Sequence, residues 1–225
     1  MKNVISGICL LFISFLATGQ RIVDRDMGNF NTIKVFDLIE VNLIKSDENK
    51  VLIKGDNVDD IYLVNKNGTL KIRMQLDKKF SGEDTFVEVY YTHLDLIDAN
   101  EGARITSNAT IEQTVLELKT QEGAQIKVGL DVEHLIVRAV TGGIVKSSGT
   151  AENQTVVLNT GGVYEGKALR TEMAKVKITA AGEAEVYASE SVDINVKAGG
   201  DVEVYGSPKN VKKKTFAGGR VVFID

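Results

Sequence analysis

"VKAGGDVEVYG", Val196 to Gly206, has two adjacent glycines followed by an apolar residue at every second position. "TAAGEAEVYA", Thr179 to Ala188, has nearly the same pattern shortly before it. Apolar alternation with a period of two is typical of a β-strand with one buried face. A glycine corner that introduces such a strand, and does so twice, therefore indicates a repeating β unit.

The repeat extends over residues 94–225. Its anchor positions are separated by 21, 19, 19, 20, 18 and 19 residues, and they are Ala103, Ala124, Gly143, Gly162, Gly182, Gly200 and Gly219. Two places after each anchor stand Ile105, Ile126, Val145, Tyr164, Ala184, Val202 and Val221. Six places before each anchor stand Ile97, Leu118, Val137, Val156, Val176, Ile194 and, off the pattern, Lys213. A period near 20 residues predicts stacked units that bury their apolar faces only against one another.

Two geometries fit this repeat. Each unit is either a β-hairpin with the glycine in its turn, or one coil of a parallel β-solenoid with the glycine at a corner where φ is positive. The solenoid is favoured because translation by one coil superposes the apolar columns on both sides of the glycine. It predicts about seven coils in a rod roughly 30 Å long, positive φ at Gly182 and Gly200, and one interior column containing Val137, Val156, Val176 and Ile194.

Residues 30–91 lack the period and predict a region of strands before the coils. Within it, Asn67-Gly68 stands between two alternating runs, which is the composition of a type I′ hairpin turn. No segment has a sustained helical period. We therefore predict an all-β protein in which residues 20–225 form a single domain.

The first 19 residues are typical of a secretory signal peptide. Lys2 precedes an apolar run from Val4 to Leu16, and the small residues Ala17-Thr18-Gly19 follow it. The run is shorter than the roughly 20 apolar residues that a membrane-spanning helix needs. Cleavage after Gly19 would leave Gln20 first and would remove Cys9, the only cysteine, so the mature chain would contain no disulfide.

The charge balance bears on partners. The chain has 27 Lys and Arg against 31 Asp and Glu, a formal net charge of −4. An acidic chain is not expected to bind nucleic acid or an anionic surface. Val211 to Phe216, "VKKKTF", is a basic exception. It is interpreted either as attachment to an anionic polymer or, preferably, as lysines that protect a terminal strand from end-to-end stacking.

Several segments together resemble a known family. They are "FNTIKVFDLIEVNLIKSDENKVLIKGD", "NGTLKIRM" and "VYGSPKNVKKKTFAGGRVVF", and the most specific element is formed by Gly200, Val202, Gly206 and Pro208. From about Asn29 to Phe223 the chain resembles the putative auto-transporter adhesin, head GIN domain family. The resemblance implies an exported bacterial envelope protein with a right-handed parallel β-helix and an adhesive role. It implies no catalytic or ligand-binding residues.

Candidate catalytic residues are few. His93 and His134 do not align in the repeat, and with no mature cysteine a zinc site is not expected. Neither a calcium β-roll nor a phosphate loop is predicted, because the tandem nine-residue period and the following helix are missing. Consecutive coils do place carboxylates at outward positions, where a pair held roughly 5–9.5 Å apart can cleave glycosidic bonds. These carboxylates belong to Glu183, Glu185, Asp201 and Glu203.

Outward positions of a solenoid are normally polar, and no aromatic platform for sugars accompanies this acidic strip. The sequence therefore favours an exported, adhesin-like binding module without catalysis, cofactor or metal. Its partner would be an unknown surface ligand, either glycan or protein, and not nucleic acid. The alternatives are a polysaccharide lyase or hydrolase on the same scaffold, and a structural module that assembles with copies of itself through open solenoid ends.

Overall fold

The computed structural model describes residues 21–55, 58–83 and 85–224, so the predicted signal peptide at residues 1–19 lies outside the described residues. The described chain is built almost wholly of β-strands, with short 3₁₀ helices at Val58–Asp60 and Leu76–Lys78. The strands are β1 (Ile22–Asp26), β2 (Thr32–Val35), β3 (Glu40–Lys45), β4 (Lys50–Gly55), β5 (Ile61–Lys66), β6 (Thr69–Met74), β7 (Thr85–Tyr91), β8 (Leu96–Ala99), β9 (Arg104–Thr120), β10 (Gln125–Val140), β11 (Ile144–Asn159), β12 (Gly162–Ile178), β13 (Gly182–Tyr187), β14 (Ser191–Val196), β15 (Asp201–Tyr205), β16 (Asn210–Thr215) and β17 (Arg220–Ile224).

The repeat region is a parallel β-solenoid. Val156 of β11 pairs with Val137 of β10 on one side and with Val176 of β12 on the other, and Val176 pairs in turn with Ile194 of β14. These pairings are parallel, whereas the two strands of a hairpin are antiparallel. The solenoid prediction is therefore confirmed, and the hairpin array is wrong for the repeat.

Each coil contains one tight turn with a strand segment on either side. We call the segments that lead into the turns the pre-turn face and those that leave them the post-turn face. Strands β9 to β12 are 16 or 17 residues long because each runs from the post-turn segment of one coil into the pre-turn segment of the next. Within both faces, side chains alternate between the interior and the surface, as the period of two requires.

Both predicted apolar columns lie in the interior and are longer than the repeat suggests. The pre-turn column runs through Leu70, Ile33, Ile97, Leu118, Val137, Val156, Val176 and Ile194, all at most 1% exposed, and ends at Lys213. The post-turn column runs through Val87, Val41, Ile105, Ile126, Val145, Tyr164, Ala184, Val202 and Val221. Burial of these continuous columns is the main stabilising contribution that stacking provides.

The first two members of each column come from residues 30–91. Strands β2 and β3 pair in parallel with β8 and β9 on one side and with β6 and β7 on the other. The spatial order of the rungs is therefore β6–β7, β2–β3, and then the repeat. Strands β5, β4 and β1 add antiparallel pairings beyond them. The predicted hairpin at Asn67-Gly68 is confirmed, with φ of 52° and 76° at the two turn residues.

The turns correct one expectation about the glycines. In the turn from Val140 to Gly143, the Gly143 N–H donates to the Val140 carbonyl at 2.9 Å, and φ is positive at Thr141 (49°) and Gly142 (72°). Two positive φ values define a type I′ turn, so the left-handed glycine precedes the anchor. The prediction of positive φ is confirmed at Gly200 (123°) but wrong at Gly182, where Ala181 (42°) adopts the left-handed conformation instead.

Anchors without positive φ are small for a different reason. A Cβ atom at Gly162 would lie 2.0 Å from the carbonyl oxygen of Ala139, and one at Gly143 would lie 2.7 Å from that of Thr120. Both glycines therefore lie against the backbone of the neighbouring coil. Close approach of two coils, and not turn conformation, selects glycine at these two anchors.

The C-terminal end of the solenoid is its least buried part. Strands β16 and β17 form the last rung, and no described strand pairs with their outer edges. Lys213 is in register with the buried Ile194 but is exposed, as are Val211 and Phe223. In the described part of the chain, no helix is long and apolar enough to cross a membrane.

Candidate binding groove on the side of the solenoid

Irregularities of the repeat converge on one side of the solenoid. The register between β9 and β10 shifts between Lys127 and Gly129, where β9 contains two additional residues. The register between β11 and β12 shifts between Lys146 and Ser148, where β12 contains one additional residue. These β-bulges account for the repeat spacings of 21 and 20 residues. Bulges are often found beside functional sites because they redirect side chains and bend the strand.

A groove of about 460 Å³ lies along these bulges, and we call it the bulge groove. Gly129, Ser148 and Ala168 pair side by side on consecutive coils, and their small side chains leave the groove open along the solenoid axis. The complete lining consists of Thr106, Ser107, Asn108, Ala109, Thr110, Lys127, Val128, Gly129, Lys146, Ser147, Ser148, Glu165, Lys167, Ala168 and Glu185.

A buried hydrogen-bond network supports one wall of the groove. The Tyr164 hydroxyl donates to Gln154 Oε1 at 2.9 Å and lies 2.8 Å from the Ser147 hydroxyl, which lines the groove. Gln154 Nε2 donates to Thr171 Oγ1 at 3.0 Å and to the Tyr187 carbonyl at 2.9 Å. Because its polar groups are paired with one another, such a buried network holds its side chains in one arrangement.

Tyr164 also determines the residue at the bulge in β12. A Cβ atom at Gly166 would lie 2.3 Å from the Tyr164 ring, so the bulge passes the ring only as glycine. Burial raises the pKa of the Tyr164 phenol, and the hydrogen bond with Ser147 opposes that rise in part. The phenol is therefore neutral in the folded protein at ordinary pH.

The groove carries charges of both signs. Lys146 Nζ lies 2.5 Å from Glu165 Oε2, and Lys167 Nζ lies 3.1 Å from Glu185 Oε1. The hydrogen bond to Glu185 raises the pKa of Lys167, so this lysine is charged at neutral pH. Lys127, one coil away from Lys146, has no ion-pair partner among the described residues. These charges, together with the threonine, serine and asparagine side chains, give the groove many hydrogen-bonding groups and no aromatic ring.

The predicted acidic strip adjoins the same end of the groove. Glu183 pairs with Asp201 and Glu185 pairs with Glu203 across β13 and β15, so the structure brings all four residues together. Three of them also have polar partners. Asp201 is 3.3 Å from Arg220, Glu185 is bonded to Lys167, and Glu203 accepts a hydrogen bond from the Tyr205 hydroxyl at 2.9 Å. That bond to Glu203 is the largest cause of the raised pKa of Tyr205.

The two histidines lie apart from the groove lining. His93 contacts Asp95 at 2.8 Å, and His134 Nδ1 lies 3.1 Å from Asn153. Within the described ranges, no three His, Cys, Asp or Glu side chains are arranged to hold a metal ion.

Sequence reasoning identified the acidic strip but missed the groove beside it. The signal that could have revealed the groove was the drift of the repeat spacing to 21 and 20 residues, since each extra residue in a solenoid must leave the ladder somewhere. Both departures fall in segments rich in glycine, serine and alanine, which supply the groove floor.

The comparisons with known proteins agree with the fold. A family model described as "Putative auto-transporter adhesin, head GIN domain" matches residues 29–208. The chain is similar to the structure of a putative adhesin from Bacteroides fragilis, with 20% identity and a TM-score of 0.84 over 92% of this chain and 98% of that one. It is similar to a putative adhesin from Parabacteroides merdae, with 16% identity and a TM-score of 0.70 over 93% and 98%.

A third similar structure is that of a putative lipid binding protein from Parabacteroides distasonis, with 15% identity and a TM-score of 0.68 over 93% of this chain and 98% of that one. No curated protein matches the chain. At these identities the structural likeness establishes the fold alone.

Proposed function

Because the chain belongs to the family described as "Putative auto-transporter adhesin, head GIN domain", we propose that it is an adhesin-type protein that binds an extended surface ligand without catalysis. The bulge groove carries this proposal. It runs along the axis over consecutive coils, so it fits a glycan strand or an extended peptide better than a compact small molecule.

The groove offers hydrogen bonds in place of ring stacking. Its lining provides hydroxyl and amide groups from Thr106, Asn108 and Ser148, and the unpaired ammonium of Lys127. Glu185 Oε2 is buried and has no hydrogen-bond partner among the described residues. Because an unpaired buried acceptor is costly, a ligand hydroxyl or amide that donates to it would gain binding energy there.

Export is part of the proposal. Residues 1–19 would act as the signal peptide, and residues 20–225 would form the single mature domain in the periplasm or on the outer surface of a bacterium. Family membership supports export to the envelope in general.

The alternative of a polysaccharide-active enzyme would have to use the acidic strip. Acid–base cleavage needs two carboxyl groups whose environments separate their pKa values. Glu185 and Glu203 occupy equivalent register positions, and each is already bonded to a neighbouring Lys167 or Tyr205 side chain. We therefore propose that the strip is a structural surface.

Self-assembly through open solenoid ends remains a prediction. The exposed Val211 and Phe223 on the last rung favour it, because their apolar surface lies beside an unpaired strand edge. Lys213 opposes it, because a further rung would bury this charge over Ile194. This arrangement supports the interpretation of the lysine run as edge protection.

A glycan and protein binding array tests the proposed function. Ser148→Phe would place an aromatic ring in the groove, whereas Thr114→Phe adds the same ring at an exposed position of β9 outside the lining. We expect Ser148→Phe to weaken the array ligand at least tenfold, about 1.4 kcal/mol, and Thr114→Phe to leave it unchanged. Binding that is unaffected by Ser148→Phe would reject the groove as the ligand site.

A further inference from the structure

One outward column of the pre-turn face is dominated by cations. Residues that pair in parallel from rung to rung bring together side chains that are far apart in sequence. In spatial order they are Lys71, Lys34, Asp98, Lys119, Arg138, Val157, Lys177, Asn195 and Lys214. Six of the nine are lysine or arginine. At about 4.8 Å per rung, this cationic column is roughly 38 Å long.

The column is only partly neutralised by the protein itself. Lys34 lies 2.9 Å from Asp98, and Glu117 lies 2.9 Å from Arg138 and 3.2 Å from Lys119. The remaining cations of the column, Lys71, Lys177 and Lys214, are exposed and have no ion-pair partner in the parts of the chain that the structure describes. Positive charge therefore remains free at both ends of the column.

This distribution is unfavourable for the protein alone. Like charges at directly opposed positions of neighbouring strands destabilise a sheet, and Lys34 is opposed to Lys71 just as Lys119 is opposed to Arg138. The chain as a whole has a net charge of −4, so the excess of cations in this column does not reflect the overall composition. A linear anion laid along the column would remove the repulsion.

The shape beside the column suits such a ligand. A cavity of about 390 Å³ lies against its central part, between the column and the turns, and is lined by Lys34, Lys119, Arg138, Asn100 and Gln121 among others. The two amides can donate hydrogen bonds, so this cavity combines charge with polar recognition. Lys214 belongs to the "VKKKTF" run, whose positive charge the proposed function leaves partly unused.

We propose that the cationic column binds a linear acidic polysaccharide parallel to the solenoid axis. A polyanion gains affinity by releasing its condensed counterions to a matching row of cations. A nucleic acid fits less well, because single strands are bound through aromatic stacking platforms and the column contains no aromatic residue. The inference gives the adhesin-type role a ligand class but places it on a different surface from the bulge groove.

Polygalacturonate is a suitable probe, with neutral dextran and single-stranded DNA as comparisons. Binding to the purified mature protein is measured over a series of NaCl concentrations. The test variant Lys71→Gln/Lys177→Gln/Lys214→Gln removes the three unpaired cations and orphans no carboxylate. The matched control Arg25→Gln/Lys78→Gln/Lys79→Gln removes three exposed cations outside the column.

We expect the protein to bind polygalacturonate and not dextran, and to release it as salt rises. The test variant should bind roughly tenfold more weakly with a shallower salt dependence, and the control variant should bind within about twofold of the unmodified protein. Equal losses in both variants, equal binding of dextran, tighter binding of DNA, or no binding would each overturn the proposal. Ser148→Phe should leave polygalacturonate binding intact, which separates this site from the bulge groove.

Discussion

Truncation of Val176 tests whether the columns hold the solenoid together. Val176 is 1% exposed and lies between Val156 and Ile194 in the pre-turn column. Val176→Ala removes two buried carbon atoms, worth about 0.8 kcal/mol each, and the cavity left between two coils adds to that loss. We therefore expect the free energy of unfolding to fall by about 1.5–3 kcal/mol.

Two matched substitutions make this expectation specific. Lys177→Ala changes the next residue, which is exposed, and should cost less than about 0.5 kcal/mol. Val221→Ala makes the same chemical change in a half-buried member of the last rung and should cost less than half as much as Val176→Ala. Urea unfolding followed by circular dichroism gives the midpoints and slopes for all three variants. Equal losses at positions 176, 177 and 221 would refute the column as the source of stability.

Three further predictions concern the turns, the buried network and processing. Gly161→Asn should cost less than about 1 kcal/mol, because φ is 75° with nothing within 4 Å of the added Cβ and asparagine tolerates this conformation. Gly162→Ala should cost more than about 2 kcal/mol, because its Cβ would meet a backbone oxygen at 2.0 Å; equal urea midpoints for the two variants would contradict this explanation. Tyr164→Phe should cost about 1–3 kcal/mol at pH 8 because Ser147 and Gln154 lose their partner. Since burial raises the pKa of Tyr164 in the folded state, its contribution is complete below the unfolded pKa near 10 and is lost above it. Stability should therefore fall more steeply above pH 10 in the unmodified protein than in the Phe variant, and parallel pH profiles would count against this linkage. Finally, the exported chain should begin at Gln20, and an intact mass that includes Met1 or a lipid would show the processing prediction to be wrong.

The column pattern made the main architecture predictable. Val137, Val156, Val176 and Ile194 were expected to stack, and they pair in parallel one coil apart. The position of the left-handed residues was less accessible, because two adjacent glycines can each be required for a different reason. Gly161 has a positive φ, whereas Gly162 does not but lies against a backbone oxygen of the neighbouring coil.

The rungs formed by residues 30–91 could not be read from the period. Strand β6 lies beyond β2 in the stack although it follows β2 in the chain, and an insertion of that kind interrupts any fixed spacing. The side chains facing inward still alternate, but alternation does not specify which strand is the neighbour.

Net charge was a poor guide to the surface. The overall value of −4 argued against an anionic partner, yet parallel register places Lys71, Arg138 and Lys214 in a single outward column. A sum over the chain averages faces that point in different directions, and only the register shows which charges share a face.

The central claim is that this solenoid binds its ligand and leaves it chemically intact. The direct measurement is the release of reducing ends or unsaturated sugars from a panel of polysaccharides, including any that the array identifies, after prolonged incubation with the purified protein. We predict that no polysaccharide is cleaved, and that Glu185→Gln and Glu203→Gln behave as the unmodified protein does. Cleavage that disappears in either variant would contradict the claim and would identify the acidic strip as an active site.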